Sequence, residues 1–432
     1  MSESEHREMR WSGRRIHLIG IGGAGMSGYA RVCRQLGADV SGSDREDSAK
    51  LEQLRAEGIA VFAGHRADQV PDGADVFYST AIPADNPERA GASNAKPRAE
   101  LLRELSSLKR TIAIAGAHGK TTTSAMTTHI LRECGMHPSY MIGGELRSTG
   151  QHADWTDGEW LVVEADESDR SMLALDVDLA LILNIELEHV DQYGSLDELE
   201  AVYEEFAAGA ADQPAIDRDW TPPQNVELGP WGSRFRWRHY DCTVPSPGHH
   251  NASNAVAAIE IAVRAGAPPA AAAYAVRSFE GVRRRFERLG LTSAGAVVYD
   301  DYAHHPTEVE KTIAAAQTMR LDRVIAVFQP HLFSRTQELA EEFSTALHEA
   351  DHSMVLPIYP AREQQADFPG VSSELIGASQ HVQTFGEARE ELRKVLRHRD
   401  LCLFMGAGDI NVLAHRIAGP VEGARGPRRS SP

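Results

Sequence analysis

The chain has 432 residues, which is enough for about two to four domains that each bury an adequate core. Its 62 acidic and 44 basic residues give a formal charge of −18, which argues against a nucleic-acid-binding protein, because such a protein needs a basic face. The four cysteines form no C-x-x-C pair, and no apolar run approaches the roughly 18 residues that cross a bilayer. We therefore expect a cytoplasmic protein without a disulfide framework or a membrane segment.

Three segments of the chain each open with a short apolar strand, and in the first two the strand runs into a glycine turn. They contain the strands Ile16–Ile21, Thr111–Ala115, Ala296–Tyr299 and Val324–Phe328. Strands rich in valine, isoleucine and alanine that alternate with helices of about 10–15 residues are typical of parallel, doubly wound sheets. The sequence therefore predicts an α/β protein.

The first of two regions that differ from the rest is 212–247, which is rich in proline and holds three of the six tryptophans. Such a composition favours short strands or a packed loop over a helix. The second is the tail 419–432, which we expect to be disordered.

The strongest single motif is Gly116–Thr123, which reads GAHGKTTT and lies between a predicted strand and a predicted helix. Glycines allow backbone amides to turn toward phosphate oxygens, and the N-terminus of a helix favours negative charge. Lys120 would reach the β and γ phosphates, and the hydroxyl of Thr121 would hold Mg²⁺. The full pattern G-x-x-x-x-G-K-[ST] is not met, because its first position falls on Ile114.

Two acidic clusters follow this loop, Glu164–Asp169 and Asn184–Asp191, each directly after a predicted strand. A doubly wound sheet presents its ligands at the carboxyl ends of its strands. Carboxylate oxygens with one imidazole suit Mg²⁺ or Mn²⁺ held between the protein and phosphates. The clusters therefore indicate metal-assisted phosphoryl transfer.

The first glycine turn, Gly20–Gly25, satisfies G-x-G-x-x-G, and Asp44 follows about 20 residues later. This pattern is a dinucleotide fingerprint, so an NAD-dependent dehydrogenase is one interpretation. The physics of the motif is only that of a diphosphate at a helix N-terminus. Because the chain has a separate ATP loop, a nucleotide-linked substrate is the better interpretation.

Two later motifs could also bind anions or bases. The segment 249–254 reads HHNASN, and an asparagine amide can pair with the adenine edge. Arg283–Arg285 is a positive cluster in an acidic chain, where an anionic group would dock.

In this order, the segments closely resemble those of the Mur ligase family. The blocks that carry the resemblance are GIGGAGMSG, GAHGKTTT, EADESD, NIELEHVD, HHNASN, GVRRRFE, DDYAHHPTE and QPHLFSRT. They are co-linear and, with the chain around them, span roughly residues 15–410. The set is far more specific than any one of its members.

The resemblance implies three domains. They are a Rossmann-like domain for a UDP-linked substrate at 12–109, a central P-loop ATPase-like domain at 110–287 and a Rossmann-like C-terminal domain at 288–418. The central domain is shorter than in most relatives, around 212–247, and the tail at 419–432 follows the last domain.

The resemblance also implies the chemistry. ATP would phosphorylate the lactyl carboxylate of UDP-N-acetylmuramate, and the amine of L-alanine would attack the acyl phosphate in the presence of Mg²⁺ or Mn²⁺. A recycling ligase that adds a preformed peptide is the nearest alternative within the family. A dehydrogenase and a non-catalytic nucleotide-binding regulator are alternatives from other classes. We expect a monomer or weak homodimer with small-molecule partners and with neither nucleic acid nor membrane as a partner.

The resemblance assigns site residues by position in this sequence. The UDP-substrate set is Gly22, Gly23, Ala24, Gly25, Met26, Ser27 and Asp44, and the ATP set is Gly116, Ala117, His118, Gly119, Lys120, Thr121, Thr122, Asn254 and Asp301. The metal set is Thr121, Glu164 and His189, the amino-acid set is His331 and Arg335, and the catalytic set is Lys120, His189, Arg285 and His304. Ala117 stands where a threonine is usual, which removes one hydroxyl but leaves the backbone cradle.

Overall fold

The structure is a computed structural model that describes residues 11–186, 193–212, 216–217 and 220–419. The described residues divide into two compact units. The first unit consists of the described residues within 11–224, 236–243 and 253–282, and the second of those within 225–235, 244–252 and 283–419.

The first unit begins with a five-stranded parallel sheet of order β3-β2-β1-β4-β5. Its strands are β1 (Arg15–Ile19), β2 (Asp39–Asp44), β3 (Ala60–Ala63), β4 (Asp75–Tyr78) and β5 (Lys96–Pro97). The helices of this part are α1 (Ala24–Gln35), α2 (Ala49–Ala56), α3 (Pro87–Gly91) and α4 (Arg98–Ser106). Gly42 allows β2 to pack closely, because a Cβ atom there would lie 2.4 Å from the carbonyl oxygen of Leu18.

A second sheet of the first unit has six strands in the order β11-β10-β6-β9-β7-β8. It is parallel except for the antiparallel pair of β7 and β8. Its strands are β6 (Arg110–Ala115), β7 (Ser139–Leu146), β8 (Gln151–Asp154), β9 (Trp160–Glu164), β10 (Leu179–Ile182) and β11 (Ile216–Asp217). The helices that follow α4 along the chain are α5 (Lys120–Glu133), α6 (Leu196–Gly209), α7 (His249–Arg264) and α8 (Pro269–Ala275).

The proline- and tryptophan-rich region contributes a three-stranded sheet of order β12-β13-β14. Its strands are β12 (Gln224–Gly229), β13 (Gly232–Trp237) and β14 (Tyr240–Val244). Short strands, one of the two alternatives predicted for this region, are thus present in its described residues.

The second unit holds a six-stranded sheet of order β15-β16-β20-β17-β18-β19, in which only the pair of β15 and β16 is antiparallel. The strands are β15 (Glu287–Leu291), β16 (Val297–Asp301), β17 (Arg323–Phe328), β18 (His352–Val355), β19 (Gln380–His381) and β20 (Asp400–Met405). The helices are α9 (Pro306–Gln317), α10 (Phe333–Glu338), α11 (Ala340–His348), α12 (Phe385–Val395) and α13 (Ile410–Ile417).

Strand β17 shows why the chain forms this sheet. Ala326 and Phe328 belong to the core on one face, whereas Ile325 and Val327 belong to the core on the other. A strand buried on both faces reads as a continuous apolar run, which is the pattern VIAVF of this segment.

The α/β class and the parallel sheets predicted from the sequence are confirmed, and the predicted strands are all present within a few residues of their expected bounds. Within the described part of the chain, no helix combines the length and the apolar character that crossing a membrane requires. The predicted tail lies outside the described residues apart from Gly419, which forms a bridge with Leu291 of β15.

Candidate functional site

The N-terminal glycine turn connects β1 to α1 at the carboxyl edge of the first sheet. Gly20 has φ +83°, a conformation that glycine adopts without a steric penalty, and α1 begins at Ala24. The side chain of Asp44, at the end of β2, accepts a hydrogen bond from the Gly22 amide at 2.8 Å. The predicted glycines and Asp44 therefore lie together around one helix N-terminus.

Two other residues of the predicted UDP-substrate set lie beneath this turn. Met26 belongs to the core of the first sheet, and the side chain of Ser27 is fully buried. The Ser27 hydroxyl lies 3.2 Å from Nε2 of His152, a residue of β8 in the second sheet. The side chains of Met26 and Ser27 thus pack α1 onto its neighbours.

The GAHGKTTT loop connects β6 to α5, and both of its glycines need the left-handed region. Gly116 has φ +133° and Gly119 has φ +86°. A Cβ atom at Gly119 would lie 2.6 Å from Oδ1 of Asn254, so the predicted adenine-binding asparagine lies directly against the loop.

Asn184, at the carboxyl end of β10, holds the loop in place. Its Oδ1 accepts from the His118 amide at 2.8 Å, and its Nδ2 donates to the His118 carbonyl at 2.9 Å. Its own carbonyl accepts from the Ala117 amide at 3.1 Å. The backbone of the loop at Ala117 and His118 is therefore held by the backbone and side chain of Asn184.

Lys120 lies at the first turn of α5 and points back into the loop. Its ammonium donates to the Gly116 carbonyl at 2.5 Å and to both carboxylate oxygens of Glu167 at 2.8 and 3.0 Å. The Glu167 side chain is only 2% exposed and that of Lys120 is 18% exposed, so the ion pair is largely buried. The loop and the first acidic cluster are therefore joined through the lysine.

Thr121 and Glu164, two of the three predicted metal ligands, are adjacent. The Thr121 hydroxyl donates to Oε2 of Glu164 at 3.1 Å, and Oε1 of Glu164 accepts from the Gly143 amide at 2.5 Å. A Cβ atom at Gly143 would lie 2.9 Å from Glu164 Oε2, so a larger residue would displace this carboxylate. The third predicted ligand, His189, lies outside the described residues.

Asp166 and Asp169, in the same acidic cluster, face a different cation. Arg98, the first residue of α4, donates to Asp169 at 2.8 and 3.1 Å and to Asp166 at 3.1 Å. Burial by itself would raise the pKa of Asp166, but the charge of Lys120 and a hydrogen bond with Ser168 bring it below its ordinary value. Asp166 is therefore ionised at neutral pH.

In the second unit, Asp301 ends β16 and is nearly buried. Its two oxygens accept from the Phe286 amide at 2.6 Å and the Ala303 amide at 2.7 Å. Burial raises its pKa to about 6, against the charge of Arg285. The predicted ribose-binding carboxylate is thus held in one orientation by two backbone donors.

Arg285 lies beside Tyr302 and Glu308. Its guanidinium carbon is 5.2 Å from the centre of the Tyr302 ring, and its Nη1 is 3.9 Å from a Glu308 oxygen. Tyr302 also lies under Arg284, which donates to the Gly406 carbonyl at 2.6 Å. Arg284 therefore anchors the arginine cluster, and Arg285 lies beside it.

His331 and Arg335, the predicted amino-acid set, lie near His304, the predicted base, in the second unit. The rings of His304 and His331 are 6.0 Å apart, and the charge of Arg335 contributes to the electrostatics of both. Among the described residues, buried Nδ1 of His331 and buried Nη1 of Arg335 have no hydrogen-bond partner. Polar atoms left in this way suit an added polar ligand, because burying them unpaired is costly.

Burial lowers the pKa of both histidines. The pKa of His304 falls to about 3 and that of His331 to about 4, the nearby arginine adding to the effect of burial in each case. Nδ1 of His304 lies 3.0 Å from the Tyr302 carbonyl, which can only accept, so this nitrogen carries the hydrogen. Nε2 is then the proton-accepting atom of a neutral ring.

Sequence reasoning missed four residues of these sites: Arg98, Gly143, Asn184 and Glu167. Asn184 and Glu167 lie inside blocks that were singled out for their carboxylates, and strand-end position is the signal that could have found them. Arg98 and Gly143 carry no local signal, since their roles come from chain segments distant in sequence.

Comparison with known proteins agrees with this geometry. Descriptions of the Mur ligase family match three stretches: the catalytic domain at 15–110, the middle domain at 114–217 and the glutamate ligase domain at 284–408. The chain belongs to the Mur ligase family.

Individual relatives are similar over nearly the whole chain. The UDP-N-acetylmuramate–L-alanine ligase of Streptomyces griseus is 41% identical over 93% of this chain and 96% of its own length. The enzyme of the same name from Mesorhizobium japonicum is 36% identical over 93% of this chain and 97% of its own.

Solved structures agree at the level of the fold. The structure of a UDP-N-acetylmuramate–alanine ligase from Thermotoga maritima aligns with a TM-score of 0.79 at 26% identity, over 93% of this chain and 98% of that one. A murein peptide ligase from Psychrobacter arcticus aligns with a TM-score of 0.66 at 21% identity, over 94% and 98% of the two chains, and shows the fold alone.

Proposed function

We propose that this protein is the ligase that joins L-alanine to the lactyl carboxylate of UDP-N-acetylmuramate, with ATP as the source of energy, in peptidoglycan precursor synthesis. The observation that carries the proposal is the similarity to relatives of that name, which are 36–41% identical over more than nine tenths of the chain. The ordered phosphate loop around Lys120 supports an ATP-dependent reaction. We propose that the protein is located in the cytoplasm, where nucleotide-linked precursors are found. Its proposed oligomeric state is a monomer or a weak homodimer.

We also propose a three-domain division at 12–109, 110–287 and 288–418, with a tail at 419–432. Separate sheets formed by β1–β5, β6–β11 and β15–β20 support this division, as do the three family matches. The first domain would bind the UDP-linked substrate at Gly22–Ser27, with Asp44 fixing the turn.

The proposed ATP site is built on the loop Gly116–Thr122. Its backbone amides and the N-terminus of α5 would hold the phosphates, and Asn254 would contact the adenine. Asp301 would bind the ribose. Lys120 would move from Glu167 to the phosphates, and Arg285 would neutralise charge on the transferred phosphoryl group.

The donor atoms at Thr121 and Glu164 fit a magnesium ion. A hydroxyl and a carboxylate lie within 3.1 Å of each other, and hard oxygen donors are the ligands that Mg²⁺ and Mn²⁺ prefer. His189 would complete the protein ligands. The ion, when bound, would supply positive charge to the phosphates.

The proposed reaction runs in two steps. A lactyl carboxylate oxygen takes the γ-phosphoryl group and ADP leaves; the amine nitrogen of alanine then attacks the acyl carbon, and inorganic phosphate leaves the tetrahedral intermediate. His331 and Arg335 would bind the alanine carboxylate. Nε2 of His304 would take the amine proton, and Glu308, 3.2 Å from Nδ1, would stabilise the imidazolium.

A phosphate-release assay with UDP-N-acetylmuramate and ATP tests the proposal with L-alanine, L-serine and glycine in turn. Release should depend jointly on UDP-N-acetylmuramate, an amino acid and a divalent metal ion. Lys120→Ala should abolish turnover and leave UDP-N-acetylmuramate binding intact, whereas Lys394→Ala, at an exposed lysine paired with Glu391, should leave both unchanged. Tight NADH binding without ATP hydrolysis would instead support a dehydrogenase, and release that needs a preformed peptide would support the recycling ligase.

A further inference from the structure

Arg98 lies between the glycine turn Gly20–Gly25 and the acidic cluster 164–169. It begins α4, directly after β5, at the same edge of the first sheet as the glycine turn. Its guanidinium is directed at the acidic cluster 164–169, which belongs to the second sheet. One side chain therefore touches structures that serve two different substrates.

The nitrogens of the Arg98 guanidinium have different neighbours. Nε and Nη2 donate to Asp169 and Asp166, whereas Nη1 makes no hydrogen bond among the described residues. A Cβ atom at Gly25 would lie 3.1 Å from Nη1, so this nitrogen lies against the glycine turn. Because the arginine fork is planar and rigid, fixing Nη1 also fixes the nitrogens bound to the aspartates.

The acidic cluster transmits this orientation to the ATP loop. Asp166 accepts from the Ser168 amide at 3.0 Å and Asp169 from the Ser171 amide at 3.1 Å, so the segment is held by its own turns. Glu167, between the two aspartates, holds Lys120 through two hydrogen bonds. A shift of the aspartates must therefore move the carboxylate that positions the lysine.

We propose that Arg98 is a positioning residue that couples the two nucleotide sites, so that binding of the UDP-linked substrate at the glycine turn favours binding of ATP at the phosphate loop. The proposal rests on the function proposed above. An anion at the turn orders Nη1, and the ordered guanidinium holds the cluster 164–169 in the arrangement that presents Lys120. By linkage, ATP must strengthen binding of the UDP-linked substrate by the same factor.

Calorimetric titrations of the full-length protein test this coupling without turnover. Affinity for a non-hydrolysable ATP analogue is measured with and without saturating UDP-N-acetylmuramate, and the ratio is the coupling factor. We expect about fivefold or more in the wild type. In Arg98→Gln the factor should fall below about twofold, while each ligand alone still binds.

Three variants distinguish a loss of coupling from a general loss of folding or binding. Arg98→Lys keeps the charge but not the fork, and should restore only part of the factor. Asp169→Asn removes one of the two carboxylates without changing shape, and should lower the factor even if Arg98→Gln fails to fold. Arg103→Gln, at an exposed arginine of the same helix that pairs with Glu100, should keep the wild-type factor.

Several results would overturn the proposal. A wild-type coupling factor near one, in a protein that still catalyses ligation, would refute the coupling but not the proposed function. Wild-type coupling in both Arg98→Gln and Asp169→Asn would show that other groups carry it. Loss of UDP-N-acetylmuramate binding in Arg98→Gln would make Arg98 a substrate ligand only, whereas a wild type that does not bind UDP-N-acetylmuramate would refute the proposed function itself.

Discussion

Asp300 is a buried carboxyl group whose replacement should change the stability of the second unit in a pH-dependent way. It lies on β16, is fully buried, and neither side-chain oxygen has a hydrogen-bond partner among the described residues. The nearest cation is Arg284, with Nε at 3.5 Å from Oδ2. Burial raises the pKa of Asp300 to about 7, with Arg284 opposing the shift and the charges of Asp301 and Glu287 adding to it.

The sign of the effect follows from proton binding. Between the ordinary pKa of 3.8 and about 7, the folded protein holds a proton on Asp300 that the unfolded chain has lost. Stability contributed by this group is therefore lost as pH rises through that window. From pH 5 to pH 7 the loss is about 2 kcal/mol, because one pH unit corresponds to about 1.4 kcal/mol and the group is already half ionised at pH 7.

Asp300→Asn removes the titration and keeps the shape. Its stability relative to wild type should increase by about 3 kcal/mol between pH 5 and pH 8, and should level off above about pH 7. Any constant cost of burying an amide cancels, because only the change with pH is compared. Urea titrations with pulsed hydrogen exchange, followed in peptides of β16, would report this sheet separately from the rest of the chain.

Asp322→Asn is the matched control, since Asp322 is an exposed carboxylate of the same unit, paired with Arg399. Its stability relative to wild type should vary by less than about 0.5 kcal/mol over the same pH range. If Asp300→Asn were as flat with pH as this control, Asp300 would be ionised in the fold and the reasoning from its burial would be wrong.

Two further predictions concern the phosphate loop. Lys120→Met should destabilise the second sheet by about 3–5 kcal/mol, because it leaves the buried Glu167 without its cation. The double variant with Glu167→Gln should be more stable than Lys120→Met alone by the same urea measurement; an additive loss would show that the pair is not coupled. Gly119→Ala would place a Cβ atom 2.6 Å from Asn254 Oδ1 at φ +86°, and should weaken binding of an ATP analogue at least about tenfold. Gly150→Ala, with φ +68° but open space around it, controls for the backbone effect, and equal affinity losses in the two variants would contradict the steric argument.

Much of the fold could be predicted because its signals are local. The apolar runs of β6 and β17 and the glycines at Gly20 and Gly116 each specify a strand or turn from neighbouring residues alone. The same holds for Thr121, which follows β6, and Glu164, which ends the neighbouring parallel strand β9. Strand ends that are adjacent in space bring such residues together without any further information.

The partners of the charged residues could not be predicted, because the choice among similar side chains depends on distant packing. The cluster 164–169 offers four carboxylates, and nothing local indicates that Glu167 binds Lys120 while Asp169 binds Arg98. The need for glycine at 143 likewise arises only when β7 lies beside the Glu164 carboxylate. Such roles are set by tertiary geometry.

The way in which the cluster 164–169 divides its charges changes how it should be interpreted. As a sequence it indicated a metal site, and in the structure Glu164 accepts a hydrogen bond from the hydroxyl proposed to hold the ion. Glu167 holds the lysine of the phosphate loop, and both aspartates hold Arg98. Four neighbouring carboxylates would repel one another, so the segment needs these cations and amides to keep its shape. Most of its negative charge therefore serves to position Lys120 and Arg98.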